Sequence, residues 1–210
     1  MAQTATETDR SPINPPASFG TAIADPGPLG LAAFAGTTFF LSVVNTGMLS
    51  GTVTAGVLGL AVFYGGLGQS LAGMWEFVKG NTFGALAFTS YGAFWLSYWY
   101  LSDHVLPGLA KANPSDVSHA VGLYLLVWTI FTAYMTIAAI RVSGAVLAVF
   151  AALTLTFLAL ALGALAGVGE WNTIGGWLGL VTAVLAWYAS FAGVTNSTFR
   201  RSVLPVFPRG

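Results

Sequence analysis

From Pro26 to Trp75 the chain carries no Asp, Glu, Lys or Arg. A soluble domain averages about 25% charged residues and could not leave so long a stretch bare. The run is also too long for one membrane-crossing helix, which needs about 20 apolar residues. It therefore predicts two spans and a turn. The turn belongs at Gly47–Thr52, which is rich in glycine and hydroxyl residues. Charge is as sparse elsewhere: over 210 residues only 7% are charged and 56% hydrophobic. The composition fixes a multi-pass membrane class before any motif is read.

The remaining charges punctuate the rest of the chain. The predicted spans are Leu29–Thr46, Val53–Trp75, Gly80–Ser102, His119–Ile140, Val142–Val168 and Thr173–Val194, with Asp103–Ser118 read as a loop because of Pro107, Gly108, Asn113 and Pro114. The stretch Leu147–Leu153 is continuously apolar, which excludes the alternation of a barrel strand and leaves helices that satisfy their own backbone. Residues 1–24 are polar and proline-rich, contain no apolar core of a cleavable signal, and are expected to form a disordered tail. Residues 25–199 are the six-helix domain, and 200–210 a second tail. With six spans and the N-terminus inside, Arg10, Lys79, Arg141, Arg200, Arg201 and Arg209 fall on one side and only Lys111 on the other. Both termini are therefore placed in the cytoplasm. The GxxxG spacings at Gly163–Gly167 and Gly175–Gly179 favour close helix packing within one subunit over a subunit interface.

No catalytic constellation stands out. There is no GxSxG, HExxH or Walker A pattern, no cysteine, and only two histidines, so neither an enzyme, a metal site nor a cofactor is expected. A formal net charge of zero gives no basic patch for nucleic acid. What the spans do hold is uncharged polarity, including Thr37, Thr38, Asn45 and Gln69, which could line a path for a small polar solute. For any single Thr or Ser, bonding back to its own helix is the better reading. The first helix opens on Asp25, Pro26, Gly27, Pro28, Leu29, Gly30 and Leu31: a capping residue, two prolines and an apolar run.

That opening resembles the signature NPAPLGL of the acetate uptake transporter family. The stretches Phe63–Gln69, Lys79–Gly84 and Ala87–Gly92 resemble its second and third helices, and Phe199–Pro205 its C-terminal segment, so that the likeness runs from Asp25 to Pro205. The resemblance implies an all-α fold, six helices around a pore in each subunit, and assembly as a homo-hexamer among the lipids of the plasma membrane, the inner membrane of a bacterium. It implies movement of acetate and similar monocarboxylates, in some members succinate, by an anion channel or a proton symporter. The shortage of mid-membrane carboxylates leans towards a channel. It also implies a narrow ring: Phe34 after the signature, Tyr91 within Phe88–Gly92, and Leu153 by its spacing from Tyr124 and Trp128. Thr37, Thr38, Asn45 and Gln69 become candidates for flanking donors. Acetate sensing or scaffolding without transport is the alternative that some fungal relatives suggest. Two positions depart from the signature. Asp25 stands where the family usually has Asn, so direct contact of residue 25 with an anion is in doubt, and Gly27 replaces Ala, which should loosen the helix entrance.

Overall fold

The computed structural model describes residues 23–209; the expected disorder of the N-terminal tail falls almost wholly outside them. Six long helices follow one another. α1 is Gly27–Asn45; α2 is Gly51–Lys79; α3 is Thr82–Tyr100; α4 is Pro114–Ala139; α5 is Gly144–Ala166; α6 is Gly169–Phe199. Five of them, all but α3, are long and apolar enough to cross a membrane. α3 has 19 residues, which at 1.5 Å each reach about 28 Å, a span's length. Its hydropathy is lowered by residues such as Ser90, Tyr91 and Tyr98, which the bundle interior takes up wholly or in part.

The predicted turn between the first two spans is present: α1 ends at Asn45, Thr46 caps it, and Gly47 turns the chain with φ +80°. The expected loop at Asp103–Ser118 is not a loop. α3 continues through a π-helical turn, Leu101–Val105, into a short helix, Leu106–Ala112, and α4 already starts at Pro114. Only Asn113 is extended, at φ −153°, ψ 103°. Pro107 and Pro114 sit in first helical turns, where a missing N–H costs nothing, so the prolines start helices here rather than prevent them.

The helices form a ring in the order α4, α5, α6, α1, α2, α3, each packed on the next. α3 and α4 close it with few backbone approaches, and the gap is filled by rings: Phe94 stacks on Tyr124 at 5.6 Å, and Phe94 and Tyr91 lie 5.2 and 6.0 Å from Trp128. Elsewhere glycine brings backbones together. A side chain at Gly176 would strike the backbone of Asn45 and Thr46, one at Gly175 would strike Leu160, and one at Gly163 would strike Asn172. These small-residue contacts lie within the subunit; Gly167 instead ends α5 in the left-handed conformation, φ +67°. In α2 the segment Phe63–Gly68 is π-helical, with one extra residue in the turn. It presses Gly65 between Thr37 of α1 and Trp95 of α3, where a Cβ would come within 2.7 Å of both.

Residues after Arg200 are ordered against the bundle. Gly144 and Ala145 donate their N–H groups to the carbonyls of Phe207 and Val206, which satisfies two of the free donors at the start of α5. Tyr188 Oη donates to the Pro205 carbonyl at 2.7 Å. The outward faces are apolar: Val127, Ile130, Ile137, Phe191 and others are exposed along whole helices, as a surface facing lipid or other subunits requires.

Candidate functional site

Three cavities lie along the inside of the ring. The largest, about 430 Å³, is walled by Phe34, Thr38, Ser42, Asn45, Tyr124 and Thr156 among others. A second, about 220 Å³, opens at the N-terminal end of α1 and is lined by Asp25, Glu76, Lys79 and Asn81. Between them is a narrow space of about 20 Å³. It shares Phe34 and Leu153 with the large chamber, and Leu31, Ala87, Phe88 and Phe150 with the second, while those two share no wall.

Phe34, Tyr91 and Leu153 come from α1, α3 and α5 and meet at this narrow space. All three are almost fully buried. The Phe34 and Tyr91 rings lie 5.6 Å apart, tilted by 50°, and Tyr91 also packs on Phe131 and Phe150. Thr132 Oγ1 lies 2.9 Å from Tyr91 Oη and donates to the Trp128 carbonyl at 2.7 Å. With that proton spent, Tyr91 donates to Thr132. The tyrosine hydroxyl is thus held by α4, and its ring is aimed at Phe34.

The four flanking candidates divide. Thr38 and Asn45 line the large chamber, and Gln69 lines the narrow space. Thr37 lines none of the three; it bonds back to Ala33 at 3.0 Å and packs against Gly65. Two of them show an unusual feature. Thr38 Oγ1 and Gln69 Oε1 are buried without a partner among the described residues. Such groups cost roughly 1–3 kcal/mol each unless something supplies the missing bond. They stand on walls that meet at Phe34, so each is placed to receive a guest or water.

The signature residues build the second cavity. Asp25 Oδ1 accepts from the Gly27 N–H at 3.1 Å and pairs with Lys79 Nζ at 2.7 Å. The Pro28 carbonyl accepts from Ser190 of α6 at 2.7 Å. Gly30 lets Phe88 lie against α1, where a Cβ would come within 2.6 Å of the ring; Pro26 is buried and Leu29 faces outward. Gly27 does not merely loosen the entrance. A Cβ there would stand 3.3 Å from Asp25 Oδ1, a tight approach, and 3.6 Å from Glu76 Oε1, an ordinary contact, so its absence eases the fit of Asp25.

Sequence reasoning passed over Glu76. It is the first charge after the long bare run and reads as a helix end, yet it is 2% exposed. Asn81 holds it: Nδ2 donates to Glu76 Oε2 at 2.9 Å, while Oδ1 of the same residue caps α3 at Gly84. With Oδ1 engaged at the start of α3 as a capping Asn requires, Nδ2 of Asn81 is left to reach Glu76. No group of three or more metal-ligating side chains occurs among the described residues.

The GPR1/FUN34/yaaH family pattern matches residues 11–208. This chain belongs to that family. The likeness to the succinate-acetate/proton symporter SatP of Escherichia coli K12 is 37% identity over 186 residues, covering 89% of this chain and 96% of that one. Accumulation of dyads protein 2 of Saccharomyces cerevisiae is 44% identical over 175 residues, 82% of this chain. This chain spans 62% of that yeast protein's length. Acetate permease A of Emericella nidulans is 40% identical over 195 residues, covering 87% of this chain and 65% of the permease. The solved bacterial acetate channel SatP superposes with a TM-score of 0.78 at 36% identity, covering 88% of this chain and 99% of that one. Family membership and this superposition agree with the multi-pass helical fold.

Proposed function

We propose that this chain moves acetate and related short monocarboxylates, with succinate as a further substrate, across a cell membrane. The path runs from the large chamber past Phe34, Tyr91 and Leu153 into the cavity at Asp25 and Lys79. The observation that carries the reading is the pair of unpartnered polar atoms, Thr38 Oγ1 and Gln69 Oε1, on walls that meet at the apolar narrowing. A carboxylic acid can exchange bonds with groups on either side while its methyl group slides past the rings; hydrated inorganic ions are held back by the dry constriction. Relatives bearing the names acetate permease, acetate channel and succinate-acetate/proton symporter support the substrate class.

The path carries no ionisable side chain at the narrowing or in the large chamber apart from tyrosines, which favours a channel-like conduit. We place both termini in the cytoplasm on the bias of basic residues, the protein in the bacterial inner membrane, and six copies in the assembly by analogy with the family. Labelled acetate uptake into proteoliposomes tests the function. Uptake above empty vesicles is expected, and none under any pH gradient would sink the reading. Uphill accumulation driven by a proton gradient would replace the channel with a symporter.

A further inference from the structure

The cavity at the start of α1 differs from the rest of the path in its charge. Its charged lining consists of Asp25, Glu76 and Lys79. Glu76 accepts from Asn81, and Lys79, held by Asp25 at 2.7 Å, is the one cation on the wall among the described residues. Lys79 alone would be an attractor for carboxylates. Paired with Asp25 its field is largely cancelled.

We propose that the Asp25–Lys79 pair sets the charge selectivity of this mouth and makes the chain favour monocarboxylates over dicarboxylates. The proposal rests on the transport reading above. At neutral pH acetate carries one charge and succinate two. In a given mouth potential a dianion feels twice the energy of a monoanion, so any change in that potential alters its entry by the square of the factor. The departure at residue 27 fits the same picture: Gly27 leaves open the space beside the Asp25 carboxylate that a methyl group would press on.

The test is uptake of labelled acetate and labelled succinate, separately, into proteoliposomes at neutral pH and low salt. Asp25→Asn keeps a side-chain oxygen for the Gly27 N–H and frees Lys79. It is expected to raise acetate uptake about threefold and succinate uptake about ninefold. Lys79→Gln shifts the charge the other way and is expected to lower the two by the same factors. It keeps the proposal testable if Asp25→Asn fails to assemble. The double variant Asp25→Asn/Lys79→Gln restores the wild-type net charge and should restore the wild-type succinate-to-acetate ratio. High salt should compress every difference. A wild-type chain that moves acetate, with a ratio unmoved by either single variant or one that stays shifted in the double variant, overturns the proposal alone. A wild-type chain that moves neither acid overturns the transport reading and this proposal with it.

Discussion

The two chambers on either side of Phe34 are polar in different ways. The larger, about 430 Å³, is lined by hydroxyls, amides and aromatic rings without a single Asp, Glu, Lys or Arg. The smaller, about 220 Å³, has Asp25, Glu76 and Lys79 on its wall, the first and last as an ion pair. A neutral chamber can sort solutes by size and by hydrogen bonding; a charged one sorts them by valence. Placing the two in series, with an apolar neck between, lets one short path apply both criteria without exposing a charge to the neck.

That contrast depends first on the neck. Phe34→Ala joins the narrow space to the large chamber. The uptake ratio of butyrate to acetate should rise at least tenfold in proteoliposomes; an unchanged ratio would place size selection elsewhere. The next effect concerns the charged side. Glu76→Ala removes the acceptor of Asn81 Nδ2 at a buried site and should cost about 2 kcal/mol, seen as a lower unfolding temperature in detergent. Glu76→Gln retains an acceptor and should recover most of that loss. On the neck's far wall, Thr132→Val leaves the Tyr91 hydroxyl without its acceptor and should cost about 1 kcal/mol in the same measurement. The smallest stability effect belongs to Lys79→Gln. Its ion pair is partly exposed, so the loss should stay below about 1 kcal/mol even where succinate flux changes severalfold. A large unfolding shift there would mean that the pair holds the fold rather than the field.

Much of the bundle could be read from the chain because charges mark span ends and glycines mark turns. The break at Gly47 and the short link at Arg141 fall where the sequence puts them. The failures share a cause: local composition does not report which way a residue faces. Pro107 and Pro114 look like loop formers but begin helices. Thr37 and Thr38 are neighbours of one type, yet the first bonds back to α1 and the second reaches the chamber. Glu76 sits at a boundary by sequence, yet it is buried where Gly27 of α1 and Gly84 of α3 approach it. Phe34, Tyr91 and Leu153 are ordinary apolar-span residues until three separate helices bring them together, which only the family resemblance could anticipate.

The π-helical turn in α2 has a consequence for how this family can vary. Six residues there occupy a stretch that regular α-helix would fill with fewer, and Gln69 follows immediately. Losing one residue between Phe63 and Gly68 would restore regular winding and leave the helix on either side in register, whereas losing one from a regular turn would rotate one side against the other by about 100°. Gln69 would then keep its place on the narrow space, while the close approach of Gly65 to Thr37 and Trp95 would have to be rebuilt. The loss of one position is therefore absorbed at this turn, whereas in the regular turns beside it the same loss would rotate Gln69 against the rest of the helix.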